Sequence, residues 1–206
     1  MQLVIERGEL LKSLGHVTSV VERRTTIPIL SNVLLQARTG SLRFNATDLE
    51  REVIEQTAAD IGQDGAVTVP AHLLHDIVRK LPDGAQVEIR RDPERERVTL
   101  SSGHSRFALQ SLPAEDFPDL AAGEMSHEFA MPAHDSTRLI EKTRCAISSE
   151  QTPYYHNGIT FHPTATGAAG TPALPAVAPD GHRLAHIELD LTSWAAAMPG
   201  VKIPRK

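Results

Sequence analysis

The chain has 206 residues, 40% of them hydrophobic, and a net charge of -5, which are ordinary values for a folded protein of one or two domains. The acidic balance disfavours a simple nucleic-acid-binding protein, for which a basic balance is expected. The single Cys145 excludes an internal disulfide and a cysteine metal cluster, so we expect a cytoplasmic protein in which Cys145 is a small core residue of a helix.

The first part of the chain predicts an α+β unit with two helices on one face of a many-stranded antiparallel sheet. Apolar periodicity predicts helices over residues 9–21 and 73–81, and Pro82 ends the second one. Turns are expected at Thr39-Gly40 and over residues 62–65. The predicted strands are 1–5, 33–37, 41–45, 51–57, 67–69, 86–91, 97–101 and 106–111.

The chain then nearly repeats itself. A Pro-rich acidic segment, 112–118, is predicted to be a linker between a first domain, 1–118, and a second, 126–206. The second copy has a predicted helix over 136–146, an Asn-Gly pair before a strand over 159–162, and a Gly/Thr/Ala/Pro loop before Val177. A predicted strand closes in a similar way in both copies, at Val69-Pro70 and at Ile203-Pro204. The alternative is two unrelated α+β pieces that share common turn residues.

The second copy has no counterpart of residues 71–112, which supply one helix and three strands of the first copy. A sheet without those elements ends in an unpaired edge and leaves apolar surface uncovered. We therefore expect the second copy to be marginally stable by itself.

Short motifs along both copies carry a family resemblance. The motifs are Glu6-Arg7, Ile27-Pro28-Ile29-Leu30-Ser31-Asn32, Ala46-Thr47-Asp48-Leu49-Glu50, Val69-Pro70-Ala71, Leu81-Pro82-Asp83-Gly84, Ser105-Arg106-Phe107, Leu112-Pro113-Ala114-Glu115-Asp116-Phe117-Pro118, Tyr154-Tyr155, Asn157-Gly158, Asp180-Gly181-His182-Arg183-Leu184-Ala185 and Pro204-Arg205-Lys206. With these motifs the chain resembles the bacterial sliding clamp, the beta subunit of DNA polymerase III, over essentially its whole length.

The resemblance implies a fold and a function. Such clamps are head-to-tail dimeric rings of three domains per protomer, with helices lining the hole and sheets outside, and the third domain is absent here. The ring encircles duplex DNA without sequence preference and tethers the polymerase, so it is a processivity factor and not an enzyme. The implied partners are the polymerase III alpha subunit, the clamp loader, other polymerases and repair factors. An acidic ring with basic inner helices also reconciles the net charge with DNA binding.

The resemblance assigns candidate DNA contacts. Arg24 matches a DNA-contacting arginine in the loop after the first helix, and Tyr154 and Tyr155 match a tyrosine pair at the inner rim. Aromatic faces can stack on any base, although without the resemblance a Tyr pair at a strand entrance is more typical of core packing. Arg79 lies on the second predicted helix and either faces the hole or is a solvated helix end.

A pocket for linear peptides of partner proteins is also implied. Its second-domain side maps to Tyr155, His156, Gly181, His182, Arg183 and Leu184. The chain departs from the family pattern at four positions, where Pro153 replaces Arg, His156 replaces Leu, Pro175 replaces Arg and Pro179 replaces Thr. Proline removes a backbone donor, and histidine introduces a titratable ring into an apolar wall. The other wall of the pocket belongs to the absent third domain.

The dimer contact of the family maps to His104, Arg106, Phe107 and Leu109 on the last strand of the first copy. This edge pairs with the third domain of the other protomer, and an exposed strand edge is suited to such pairing. Because that partner surface is absent, a closed ring is not expected from this chain alone. We interpret the chain as a clamp truncated within its second domain, or as the product of an incomplete gene model.

Two other classes of function remain as alternatives. One is a non-topological interaction module that uses the free edge of the first domain. The other is a metal-dependent enzyme, because His72, His75 and Asp76 have a spacing that can chelate a metal on one helix face. No third ligand run or activating Glu is evident beside them, and no phosphate-binding Gly loop is present. Asp180-Gly181-His182 could suggest acid/base work, but no nucleophile motif accompanies it, and no cofactor is expected. No apolar run approaches the roughly 20 residues of a membrane span, and the N-terminus lacks a signal-peptide core.

Overall fold

The structure is a computed structural model that describes residues 1–23, 25–92, 96–118, 130–148, 157–168, 170–190 and 198–205. The chain divides into two compact units, Met1–Ala121 and Ala122–Lys206. Both consist of antiparallel sheets and short helices, so the predicted α+β class is confirmed.

The first unit, called unit 1, contains nine strands and two α-helices among its described residues. The strands are β1 (Gln2–Glu6), β2 (Asn32–Arg38), β3 (Ser41–Thr47), β4 (Glu52–Ala58), β5 (Asp60–Gln63), β6 (Gly65–Pro70), β7 (Gln86–Asp92), β8 (Arg97–Ser102) and β9 (Ser105–Gln110). The helices are α1 (Arg7–Val17) and α2 (Ala71–Arg79), with short 3₁₀ helices at Pro28–Ser31 and Ala114–Asp116.

The strands of unit 1 form two antiparallel sheets where the sequence predicted one. The five-stranded sheet has the order β5-β1-β7-β8-β9, and the four-stranded sheet has the order β4-β3-β2-β6. The turn predicted over residues 62–65 is wrong, because β5 pairs with β1 through Leu3–Ile61 and Val4–Asp60 and so continues as a strand to Gln63.

Helix α1 begins at a side-chain cap. The Glu6 carboxylate accepts hydrogen bonds from the backbone N–H groups of Gly8 (2.7 Å) and Glu9 (3.1 Å), and these bonds lower the pKa of Glu6. The helix ends at Val17, four residues before the predicted end, although Val21 is buried. The apolar periodicity that predicted a longer helix therefore reflects burial of residues in the turn after the helix as well as in the helix itself.

Both helices of unit 1 cover one core. Leu10, Leu14 and Val17 of α1 and Leu74 and Val78 of α2 are buried, and the two helices pack against each other. They share this core with inward-facing residues of both sheets, among which the largest are Leu3, Leu35, Leu42, Phe44, Ile89 and Leu100. Alternating residues of the strands face the core, as half-buried strands require.

The segment predicted to be a linker packs on the four-stranded sheet. The buried Thr68 hydroxyl donates to the carbonyl of Leu112 (2.7 Å) and accepts from the Leu112 N–H (3.0 Å) and from Asn32 Nδ2 (3.1 Å). Phe117 is 7% exposed and packs with Leu30 and its neighbours. The Thr68 hydroxyl uses its single donor and both acceptor positions, so residues 112–117 are an ordered part of unit 1.

The second unit, called unit 2, repeats one sheet of unit 1. Its described elements are α3 (Ala133–Thr143), a 3₁₀ helix at Arg144–Ala146, β10 (Gly158–Phe161), β11 (Ala173–Pro179), β12 (Leu184–Asp190) and β13 (Val201–Pro204). The sheet order β12-β11-β10-β13 reproduces β4-β3-β2-β6 in chain order and direction. The β11–β12 pairing also has the seven-pair register of β3–β4. The internal repeat is therefore real at the level of strand pairing.

The helical region of unit 2 differs from its prediction at two points. Helix α3 begins at Ala133, three residues earlier than predicted, and its buried residues are Leu139 and Thr143. Cys145 is exposed in the following 3₁₀ turn, so its assignment as a core residue is wrong. In the described part of the chain, no helix is long and apolar enough to cross a membrane.

Candidate functional site

The turn between β3 and β4 is closed by the carboxylate of Asp48. One oxygen, Oδ1, accepts from the N–H groups of Glu50 (3.1 Å) and Arg51 (2.8 Å), while the Arg51 guanidinium pairs with Oδ2. Leu49 has φ +74°, in the left-handed region. Burial alone would raise the pKa of Asp48, but the hydrogen bonds from Arg51 and Glu50 lower it below its usual value.

The turn between β11 and β12 has the same construction. Asp180 Oδ1 accepts from the N–H groups of His182 (3.0 Å) and Arg183 (2.9 Å), and Arg183 Nε donates to Oδ2 (2.8 Å). Gly181 occupies the left-handed position with φ +88°. The His182 N–H bond, followed by the Arg183 side-chain bond, lowers the pKa of Asp180 from 3.8 to about 2. Asp180 was not among the predicted site residues, and the repeated Asp after the strand was the signal for its role.

This second turn carries the described part of the predicted peptide pocket. Gly181, His182, Arg183 and Leu184 are consecutive and exposed, and Leu184 is 65% exposed. The ion pair with Asp180 holds Arg183 against the turn, whereas Leu184 begins β12 with its side chain in solvent. A fixed cation next to an exposed leucine presents a mixed basic and apolar surface.

Proline lies in the strand that leads to this turn. Pro175 pairs with Glu188 inside β11, and its carbonyl accepts from the N–H of His162 (3.2 Å). Because proline has no N–H, Pro175 cannot donate the reciprocal bond to the carbonyl of His162. Pro179 is the last residue of β11, directly before Asp180. Both prolines therefore lie in the ladder that supports the turn.

Arg79 is exposed at the end of α2 and forms an ion pair with Asp76 (3.4 Å). Arg7 reinforces this helix end, because its guanidinium donates to the carbonyls of Val78 (3.2 Å) and Arg79 (2.9 Å) and pairs with Asp83 (2.6 Å). These bonds satisfy carbonyls that a helix end leaves without intrahelical partners. Arg79, the predicted cation, thus lies exposed at a helix end that Arg7 holds in place. This role of Arg7 was not predicted from the sequence.

Four predicted site residues lie outside the described part of the chain. They are Arg24, Tyr154, Tyr155 and His156, and the departure Pro153 lies there as well. Their placement in the DNA and peptide sites stays a prediction.

The metal-chelating hypothesis placed His72, His75 and Asp76 on one helix face. His72 Nε2 lies 2.9 Å from the carbonyl of Val21, so its ring joins α2 to the segment after α1. His75 Nδ1 is 3.9 Å from Asp76 Oδ1. Within the residues that the structure describes, no group of three or more His, Cys, Asp and Glu side chains could hold a metal ion.

The predicted dimer contact lies at β9, one edge of the five-stranded sheet. His104 and Arg106 are exposed, Phe107 is half-buried and Leu109 is 3% exposed in the core. An edge-to-edge contact here would therefore use the backbone of β9 and the side chains of Arg106 and its exposed neighbours, whereas Leu109 holds the strand to its own unit.

Two α+β units that repeat one sheet order and one Asp-closed turn define the class of DNA clamps built from repeated domains. Residues 1–121 match the family described as "DNA polymerase III beta subunit, N-terminal domain". The chain belongs to the DNA polymerase III beta subunit family.

Relatives and solved structures agree with this assignment. The beta sliding clamp of Caulobacter vibrioides strain NA1000 is 50% identical over 206 residues, and that of Escherichia coli K12 is 39% identical over 207 residues. A solved Caulobacter crescentus pol III beta chain superposes with a TM-score of 0.93 at 50% identity, and a Bartonella birtlesii sliding clamp with 0.94 at 45% identity. Each match covers 100% of this chain and 54–55% of the relative. The chain thus spans about half the length of the curated relatives it matches.

Proposed function

We propose that the chain supplies the first domain and part of the second domain of a beta sliding clamp, a ring that encircles duplex DNA and tethers the replicative polymerase. The observation that carries this proposal is the repeated β-sheet with its Asp48 and Asp180 turns, together with the family membership. A ring of repeated domains needs units of similar construction, and the two units share the strand order of one four-stranded sheet and the register of one hairpin.

We infer that the chain acts by binding and not by catalysis. Sliding requires weak contacts to phosphates that carry no sequence information, which exposed cations on helices provide. Arg79 and the exposed Lys80 at the end of α2 are such cations, and the exposed Lys12 on α1 is another. Arg24, Tyr154 and Tyr155 complete the proposed DNA contacts.

We place the partner-peptide pocket at Gly181, His182, Arg183 and Leu184, with Tyr155 and His156. The occupants are linear segments of the polymerase III alpha subunit, the clamp loader, other polymerases and repair factors. Support comes from the mixed surface of the turn, where Arg183 is fixed by Asp180 and Leu184 is exposed. The edge strand β9, with Arg106, Phe107 and Leu109, and His104 in the turn before it are the proposed contact to a second protomer in the cytoplasm.

The test is retention on nicked circular DNA, with the same DNA linearised as a control, in the presence of a clamp loader and ATP. A topological clamp stays on the circle and is lost from the linear form. Equal retention on both would contradict encirclement by this chain and would favour the alternative, an interaction module that uses the exposed edge of β9.

A chimera extends this test to the part of its relatives that the chain does not span. The chain replaces the aligned 206 residues of the Caulobacter vibrioides clamp, which it matches over its full length. We expect the chimera to be retained on circular DNA, and Arg79→Ser to shorten its residence, whereas Arg90→Ser on strand β7, an exposed arginine paired with Glu88 (2.8 Å), is the charge-matched comparison and should leave it unchanged. A chimera that folds but shows no preference for circular DNA would overturn the proposed role of these residues.

A further inference from the structure

The outer face of the four-stranded sheet in unit 1 contains a polar groove of about 520 Å³. It lies on the side of β2, β3 and β4 opposite the core, and Ala114, Phe117 and Pro118 form one wall. The residues that line the strands are Leu34, Gln36, Arg38, Ser41, Arg43, Asn45 and Gln56. None of them belongs to the DNA, peptide or dimer sites proposed above.

The groove has a cationic end. Arg38 and Arg43 are both exposed, and neither forms an ion pair with another described residue. Arg38 pairs with Ser41 and Arg43 with Gln36 in the β2–β3 register, so the two arginines are diagonal neighbours on one face. Diagonal neighbours lie roughly 7–8 Å apart, within reach of one carboxylate or two adjacent ones.

The groove also contains a buried polar atom that lacks a hydrogen bond. Asn45 is 8% exposed and its Nδ2 donates to Glu52 Oε1 (2.7 Å), which fixes the orientation of the amide. Asn45 Oδ1 is buried and has no hydrogen-bond partner among the described residues. A buried acceptor without a donor carries a desolvation cost, which a ligand N–H would offset once the side chains around Oδ1 move to admit it.

The wall opposite these polar groups is apolar and ordered. Ala114, Phe117 and Pro118 line it, and the Thr68 hydrogen bonds to Leu112 hold the start of this segment on the sheet. Leu34 forms the adjoining floor and packs in the same apolar cluster as Phe117. The groove thus combines a cationic end, a hydrogen-bond acceptor and an apolar wall.

The equivalent face of unit 2 lacks these groups. In the shared hairpin register, Pro175 and Val177 occupy the positions of Arg43 and Asn45, and Glu188 occupies that of Gln56. The polar groove with its two arginines is therefore a property of unit 1 and not of the repeated fold.

We propose that this groove binds an acidic peptide segment of a partner protein, with its carboxylates on Arg38 and Arg43, a backbone N–H on Asn45 Oδ1 and an apolar side chain against Leu34 and Phe117. Two cations beside a buried amide and an apolar wall suit a short acidic and apolar peptide better than nucleic acid. A strand of phosphates requires a longer basic track and bases stacked on exposed rings.

The test measures fluorescence anisotropy of a labelled peptide, Phe-Ser-Glu-Glu, against the full chain, with Phe-Ser-Gln-Gln as the neutral peptide. We expect saturable binding of the acidic peptide below about 1 mM, and a loss of roughly tenfold or more in the variant carrying Arg38→Gln and Arg43→Gln. The charge-matched control carries Arg138→Gln and Lys142→Gln, two exposed cations of α3. This control should bind like the unmodified chain.

Circular dichroism melts establish that both variants fold, which is expected because all four side chains are exposed. Binding that does not saturate, equal loss in both variants, or equal binding of the neutral peptide would overturn the proposal. So would tighter binding of an oligothymidylate that competes with the peptide. None of these readouts depends on DNA encirclement, so failure of the clamp proposal remains distinguishable.

Discussion

Thr47 and Pro179 occupy the same position in the two units, one residue before the aspartate that closes each hairpin turn, and only Thr47 hydrogen-bonds across its turn. The Thr47 hydroxyl donates to the carbonyl of Arg51 (2.8 Å) and accepts from the N–H of Leu49 (2.9 Å). Proline offers neither group. The two turns thus share an aspartate and an arginine, and they differ in the two threonine hydrogen bonds that brace the turn of unit 1.

The first prediction concerns that brace. Pro179→Thr should stabilise unit 2 by about 0.5–1.5 kcal/mol, because a threonine there can make the bonds that Thr47 makes. Urea unfolding followed by circular dichroism measures the change. Thr47→Ala is the reciprocal variant and should destabilise unit 1 by about 1 kcal/mol. A Pro179→Thr chain no more stable than the original would mean that the turn of unit 2 cannot accommodate the hydroxyl bonds.

The second prediction concerns the left-handed residue of each turn. Gly181 has φ +88°, so Gly181→Ala should cost about 1 kcal/mol of unfolding free energy. Gly15→Ala is the matched control, since Gly15 is helical with open space around its Cβ position, and alanine should stabilise it by up to about 1 kcal/mol. Opposite signs in urea unfolding are the expected result. The same sign for both would mean that backbone conformation does not set the cost.

The third prediction concerns pH. Because folding lowers the pKa of Asp180 from 3.8 to about 2, the carboxylate contributes stability that is present above its unfolded value and is lost as pH falls from about 4 to about 2. Asp180→Asn keeps an acceptor for the N–H groups but loses the charge beside Arg183. The stability difference between the original chain and this variant should therefore be constant at neutral pH and shrink in acid.

Urea unfolding at a series of pH values measures this difference. Asp64→Asn, at the exposed residue between β5 and β6, is the control for general charge effects. A stability difference that persists unchanged to about pH 2 would contradict the assigned cause. Once Asp180 is protonated it carries no charge, so it attracts Arg183 no more strongly than an asparagine does.

The fourth prediction concerns an apolar groove of about 490 Å³ in unit 2. Leu139 and Phe161 line it, and its rim includes Ile140 and Ile203, which are 42% and 46% exposed. An exposed apolar concavity should bind 1-anilinonaphthalene-8-sulfonate and enhance its fluorescence, and Ile140→Ser should reduce the enhancement. Leu73→Ser on α2, where Leu73 is 50% exposed and does not line this groove, should leave it unchanged. Equal reduction by both would place the dye elsewhere.

The sequence predicted most elements because their signals are local. The strand exit at Pro70, the turn at Thr39-Gly40 and the helix that ends before Pro82 depend on backbone rules, and each is found. The repeat was visible as an order of elements, and the structure adds its register. By contrast, the strand at Asp60–Gln63 exists because β1 supplies its partner, and no local signal reports a partner that is distant in sequence.

Side-chain roles were less predictable for the same reason. His72 was a metal candidate by its spacing, but its ring contacts the carbonyl of Val21, and Arg7 reaches the end of α2 across the fold. Cys145 followed the apolar pattern of a helix that ends at Thr143, so its side chain is exposed. Nothing in the sequence predicted a role for Thr68, although its hydrogen bonds hold the segment that forms one wall of the polar groove.

The last prediction tests that organising role. Thr68→Val preserves the shape of a fully buried side chain but removes the donor to the Leu112 carbonyl and the acceptor for Asn32 Nδ2. Leaving these groups unpaired should cost about 1–3 kcal/mol and release residues 112–117 from the sheet. Hydrogen exchange read by mass spectrometry should therefore accelerate in this segment, while β7 stays protected. Thr99→Val, a half-buried position on β8, is the control and should leave the segment unchanged. Exchange that accelerates equally throughout unit 1 would mean global destabilisation, and the hydroxyl would then have no specific role in holding Phe117 over the groove.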